Sequence, residues 1–178
     1  MFYRTATIDS SCLIALHHLD LLKKLSLLFD RVYVPQRVRI EVNKEPNLRR
    51  QLRKLLKEVA LYQPCDVAQP DRINILLLER RSKRGQKTQP DRGEAEAIIQ
   101  ATELGATIVL VDDRKGREWA RGHRVEPHGM IWVLRQFHET GVIPKLGPVI
   151  RKLIKRGYRL PENEVKQLLE QFGEVSDS

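Results

Sequence analysis

Cysteine is scarce in this chain: Cys12 and Cys65 are its only two in 178 residues. A disulfide framework is therefore excluded, and a reducing, intracellular setting is expected. The two lie far apart, and no paired-histidine motif of the H-E-x-x-H kind occurs, so the usual zinc donors are missing. No apolar run approaches the roughly 20 residues of a membrane span. The first ten residues lack the apolar segment of a signal peptide. A soluble, cytoplasmic protein is expected. Aromatic residues make up only 6% of the chain, which leaves little for a base-stacking platform. No RRM, KH or zinc-finger signature appears. No segment joins a basic face to a Trp/Phe-rich apolar one, so no membrane partner is expected.

Positive charge, by contrast, is abundant. Thirty-two Lys and Arg face 23 Asp and Glu, a formal charge of +9. Such an excess favours polyanions through counterion release and steering, and nucleic acid is the expected partner. The length suits one domain with a small appendage. The reading is an α/β domain over 1–143 and a helical extension, packed on it, over 144–178.

Short β-rich segments alternate with helical ones. Thr5 to Ile8 reads as a strand ending at Asp9, with Ser10 or Ser11 able to cap the helix that follows. Leu21, Leu22, Leu25 and Leu28 recur at helical spacing. "RVYVP" is a second strand, stopped at Pro35, which also suits a first helical turn. A short helix carries Val38, Ile40, Glu41 and Val42. A basic helix over Asn47–Glu58, then "VALYQP" as a strand or an extended connection, and a helix over Ile73–Arg84 follow. A basic loop with Gly and Pro leads to a helix over Glu94–Leu104. Thr107 to Val111 is the clearest strand. Its near-continuous apolar, β-branched run suits a parallel strand covered on both faces. Next come a helix (Lys115–Arg121), a strand around Arg124 and Val125, and a helix over Met130–His138. Two last helices are separated by Gly157 and Pro161. Alternation of this kind predicts an α/β fold with a parallel sheet.

In an open α/β sheet, ligands bind at the carboxyl ends of the strands. Asp9 follows one strand, and Asp112 and Asp113 follow another. Glu41 lies on the helix after the second strand. Glu94 and Glu96 open a further helix. Four carboxylates from separate segments, brought together, must stay protonated or find a cation. Hard divalent ions, Mg²⁺ or Mn²⁺, suit an all-oxygen set. On a basic protein such a site suggests phosphodiester hydrolysis, in which the metal activates water and stabilises the leaving oxygen.

Each acid also has a purely structural use. Asp9 can be a helix cap. Asp113 can cap the helix after it. Asp112 can do the same or pair with Arg114. Glu41 can pair with Lys44. "DRGE" has capping-box spacing, with Asp91 as cap and Glu94 three residues on. Glu94 and Glu96 stand about 200° apart around a helix, so they do not share a face.

Taken in order, "TIDSSCLIAL", "RVYVPQRVRIEV", "RGEAEAIIQATELGATIVLVDDRKGREWA" and "GYRLPENEVKQLLEQFGE" resemble the PIN domain. More narrowly they resemble its prokaryotic subgroup related to toxin ribonucleases of toxin–antitoxin pairs. The resemblance covers nearly the whole chain and implies a PIN-like (Rossmann-like) three-layer α/β/α sandwich with a short parallel sheet. It implies Mg²⁺- or Mn²⁺-dependent cleavage of RNA, with 1–143 as the nuclease domain. Carried over residue by residue, the catalytic acids are Asp9, Glu41, Glu96 (in "EAII") and Asp113. The metal would be held by Asp9, Glu96 and Asp113, with Asp112 and Glu94 as further candidates. Two places depart from the family. Relatives often carry Thr or Ser before the last aspartate, where Val111 and Asp112 stand here. "EPHGMIW" replaces a smaller turn, and His128 within it is expected to be solvent-exposed or capping.

Arg37, Arg39, Arg49, Arg50, Arg53, Lys54 and Lys57 form one basic region. Arg84, Lys87 and Arg92 form another beside "GEAEA", and Arg114, Lys115 and Arg117 follow the last aspartates. The last two groups are the expected nucleic-acid contacts, touching phosphates without reading bases. Leu22, Leu25, Leu28 and Phe29 are core or a dimer face, as are Ile131, Trp132, Leu134 and Phe137. Val165, Leu168, Leu169 and Phe172 dock the last helix on the domain or on a partner. The leading expectation is a metal-dependent endoribonuclease, the toxin of such a pair or a relative, with RNA, an antitoxin and a second copy of itself as partners. The alternative is a PIN-fold nucleic-acid-binding protein that cuts weakly or not at all.

Overall fold

The structure, a computed structural model, describes residues 3–82, 92–106 and 108–174. Five strands form one parallel sheet: β1 (Tyr3–Ile8), β2 (Phe29–Pro35), β3 (Tyr62–Cys65), β4 (Ile108–Leu110) and β5 (Glu126–His128). Their spatial order is β3-β2-β1-β4-β5. The chain winds outward from β1 to β3, then crosses back to lay β4 on the other side of β1. β1 and β4 therefore flank the topological switch point, where the carboxyl ends open a crevice.

Around the sheet lie α1 (Ser10–His18), α2 (Gln36–Glu41), α3 (Pro46–Glu58), α4 (Pro70–Ser82), α5 (Arg92–Leu104), α6 (Arg114–Gly122), α7 (Met130–Glu139), α8 (Leu146–Lys155) and α9 (Glu162–Gln171). The arrangement is a three-layer α/β/α fold. Strand alternation assigns the layers. Ile108 and Leu110 join a large core with residues of α1 and α7, while Val109 and Val111 join a second with α5 and Ala120 of α6. All four are fully buried, as expected for a strand covered on both faces. Thr7 is buried on the α5 side, where its hydroxyl donates to the Ala97 carbonyl at 2.8 Å.

The leucines left open between core and dimer face are core: Leu22, Leu25, Leu28 and Phe29 are at most 2% exposed. Leu21–Leu28 is not an α-helix, however. A 3₁₀ helix spans Leu22–Leu27, and its Leu22 carbonyl accepts the Tyr62 hydroxyl at 2.7 Å. Leu134 and Phe137 are buried, with Ile131 and Trp132 packed partly against them. The last helix docks on its own chain: Leu168 and Leu169 enter the same core as Leu146, Ile150 and Leu153 of α8. Glu174 fastens it, accepting the N–H groups of Leu146 and Gly147 at 2.7 and 2.8 Å. Those groups have no partner within the first turn of α8, and a carboxylate there is favoured.

The fifth strand lies further along than expected. Arg124 takes a left-handed conformation (φ 60°) that ends α6, and Val125 donates back to the Ala120 carbonyl. Pairing with β4 begins only at Glu126. No helix among the described residues is long and apolar enough to cross a membrane.

Candidate active site

The adjacency of β1 and β4 brings the first two acids together. Ile8 pairs with Leu110, and the Asp9 N–H donates to the Leu110 carbonyl at 3.0 Å. Asp9, rather than Ser10 or Ser11, is the N-cap of α1. Its Oδ1 accepts the Cys12 N–H at 2.7 Å, and its Oδ2 accepts the Ser11 hydroxyl at 2.7 Å. The residue is 2% exposed. Burial pushes its carboxyl up to about 7, against the pull of these donors, and the nearby Asp112 charge adds to the rise. A cap of this burial is an unusual use of an acid, because Asn or Ser would cap without a charge to desolvate.

Asp112 is held from three sides. Its Oδ2 accepts the Tyr158 hydroxyl, and its Oδ1 accepts the Met130 N–H at 3.1 Å. Arg117 Nη1 stands 4.0 Å from Oδ1, and Arg117 Nη2 donates to Glu164 Oε1 at 3.2 Å. The pairing with Arg114 allowed by the sequence is not made; Arg114 reaches Glu118 instead, at 3.7 Å. Burial raises the Asp112 pKa despite the Tyr158 hydrogen bond. Gly129 is required by this packing: a Cβ there would fall 2.5 Å from Asp112 Oδ1 and 2.7 Å from Arg117 Nη1.

Asp113 caps α6, accepting the N–H groups of Lys115 and Gly116 at 2.9 and 3.0 Å. Glu94 reaches the same turn from α5, since a Cβ on Gly116 would lie 3.2 Å from Glu94 Oε2. Glu96 faces away from it, toward α2. It accepts the Arg37 N–H at 2.8 Å, in the otherwise uncapped first turn of α2, and lies 3.4 Å from Arg92 Nε. Glu41 pairs with Arg37 Nε at 3.0 Å, four residues back rather than forward to Lys44. Its other oxygen is buried and has no hydrogen-bond partner among the described residues.

The acids thus share neighbours two by two: Asp9 feels the Asp112 charge, Asp113 and Glu94 both approach Gly116, and Glu96 and Glu41 both bind Arg37. Among the described residues, no three His, Cys, Asp or Glu side chains form a ready metal set. The donor chemistry still fits a hard cation. All donors are oxygen, Asp9 is unfavourable as a bare anion, and Glu41 has an orphaned oxygen. Mg²⁺ keeps several waters and needs only one or two carboxylates.

A family model described as a PIN domain matches residues 5–174. The chain belongs to the PIN-domain family. No curated protein matches it. PIN domains are generally nucleases and typically use divalent metals. The match runs through α8 and α9 to Glu174, so the residues that fasten the C-terminal helices lie within it.

Of the expected phosphate contacts of this PIN domain, Arg114 is exposed and Lys115 half-buried. Arg117 is only 13% exposed and is engaged by Asp112 and Glu164. Arg92 is half-exposed beside Glu96. Arg84, Lys87 and the capping-box residue Asp91 lie outside the described residues. His128 is neither solvent-exposed nor a cap. It sits in β5 with its ring stacked on Trp132, centroids 4.0 Å apart. Sequence reasoning also missed Tyr158 and Glu164, both within the "GYRLPENE" stretch, to which the resemblance attaches no role.

Proposed function

We propose that this PIN domain is a Mg²⁺- or Mn²⁺-dependent endoribonuclease, the toxin of a toxin–antitoxin pair or a relative. The supporting observation is the buried carboxyl of Asp9 beside Asp112 at the switch point. Such a group is poorly placed as a structural cap and well placed to exchange its proton for a cation. Asp9 and Asp113 would hold the metal, with Glu94 or Glu96 and Asp112 completing its surroundings and Glu41 supplying its free oxygen. The ion would supply water activation and charge stabilisation at the leaving oxygen. Arg114 and Lys115, on the first turn of α6, position the phosphate chain. A basic surface of net charge +9 gathers the polyanion. An antitoxin protein and a second copy of the chain are the partners this reading carries, and the cytoplasm its compartment.

The test is cleavage of single-stranded RNA with Mg²⁺, with Mn²⁺ and with chelator. Asp113→Asn keeps a good cap on α6 and is expected to lower metal-dependent cleavage at least about 100-fold. Metal-dependent cleavage at the wild-type rate in that variant would remove Asp113 from the site. A second reading has its own observation. Asp112 stands where relatives keep a hydroxyl and is occupied by Tyr158 and Met130. A PIN fold that binds RNA without cutting it would retain RNA affinity yet take up no Mn²⁺ at millimolar concentration.

A further inference from the structure

Beside the carboxyl end of β5 lies a cavity of about 420 Å³, among whose walls are Arg114, Arg117, Arg121, His128, Gly129 and Trp132. Two features distinguish it from an ordinary surface dent. The first is a flat aromatic wall. The His128 and Trp132 rings lie 13° from parallel, and both face the cavity. Burial, reinforced by Arg121, holds His128 below the usual imidazole range against the pull of Glu126, so the stack carries no charge at neutral pH. The second is an uncompensated cation. Of the lining arginines, Arg114 faces Glu118 at 3.7 Å and Arg117 faces Glu164 at 3.2 Å, while Arg121 is exposed with no carboxylate partner among the described residues.

The cavity also touches the acidic edge. Arg117 and Gly129 line it and are the residues packed against Asp112. A π-wall, a free guanidinium and a neighbouring candidate nuclease site together match one chemical class. Bases stack on aromatic faces without regard to sequence, and Arg takes the adjoining phosphate.

We infer that this cavity is a nucleotide subsite, in which one base of single-stranded RNA joins the His128–Trp132 stack and Arg121 holds its phosphate. The inference rests on the nuclease reading for its substrate, but its test does not need cleavage. Binding of a labelled single-stranded oligoribonucleotide is followed by fluorescence polarisation with all metal chelated, beside the same backbone made abasic. His128→Ala is expected to weaken the intact strand by about five- to hundredfold, the range for losing one stacked base, and to leave the abasic strand unchanged. Arg121→Ala weakens both strands and lowers the salt dependence by about one phosphate contact. Should His128→Ala lower the melting temperature, Arg121→Ala, at the exposed end of α6, carries the test. Wild-type affinity in both folded variants overturns the subsite, as it would if the cavity takes a protein segment. A base-dependent loss in a protein that shows no cleavage upholds the subsite and removes the nuclease reading alone.

Discussion

Asp9→Asn is expected to abolish metal-dependent cleavage and, above pH 7, to make the protein more stable. Both effects come from one carboxyl. In the unfolded chain it titrates near 3.8; in the fold it is raised to about 7. The folded state thus holds the proton more tightly than the unfolded state does. Its contribution to stability is complete below about pH 3.8 and is lost as pH rises through about 7. The full penalty for ionising it in place is on the order of 4 kcal/mol, at 1.36 kcal/mol per unit. Asn caps a helix as well as Asp and cannot ionise. It does lose one of the two acceptors that serve Ser11 and Cys12, which takes back about 1–2 kcal/mol. The net gain at pH 8 is roughly 2–3 kcal/mol, or about 4–12 °C in melting temperature for a chain of this length. At pH 5 only about 1.6 kcal/mol of the penalty remains, which the lost acceptor cancels, and the gain disappears. Cleavage should fall about 1,000-fold or more, the equivalent of several kcal/mol of metal-assisted stabilisation. Melting curves at pH 5 and pH 8, beside a cleavage assay, check both. A variant less stable at pH 8 than wild type would mean that Asp9 serves only as a cap.

Tyr158→Phe is the second large effect. The hydroxyl donates to Asp112 across 46 residues of sequence and ties the α8–α9 connection to the end of β4. Its loss leaves a buried carboxylate with only the Met130 N–H as a close donor and Arg117 4.0 Å away. The cost is about 1–3 kcal/mol for a hydrogen bond to a charged group, so the melting temperature falls by roughly 3–10 °C. The Asp112 pKa rises further, since this hydrogen bond is the largest of the influences lowering it. The decisive readout is a double-mutant cycle with Asp112→Ala. The two changes should be strongly non-additive, because each removes the same contact. Faster amide exchange in 158–164, without change in β1, would accompany the loss. Additive effects would show that Tyr158 contributes by packing alone.

The two residues also show what a sequence discloses. Asp9 and Asp112 were legible because strand ends are local. An apolar run that stops at an acid marks both a strand and its carboxyl end, and parallel topology places such ends on one edge. The burial of β4 was readable from its lack of alternation. The sharing-out of Glu94 and Glu96 followed from helical geometry: two residues apart, they turn to opposite neighbours, α6 and α2. Tyr158 was not legible in this way. Nothing near it in the chain indicates that its hydroxyl meets Asp112. The same holds for His128, which the sequence leads one to expect as solvent-exposed or capping. Trp132 one turn into α7 covers it instead, a contact set by β5 pairing with β4 rather than by local preference. The shift of β5 past Arg124 has the same origin.

The central claim is that Asp9 exchanges a proton for a divalent cation, and calorimetric titration of Mn²⁺ at pH 6, 7 and 8 tests it most directly. The account predicts binding that strengthens about tenfold per pH unit below about 7 and levels off above it, with release of close to one proton at pH 6. Asp9→Asn should abolish both the binding and the proton release. Uptake that is independent of pH, or no uptake at millimolar Mn²⁺ at pH 8, would contradict it.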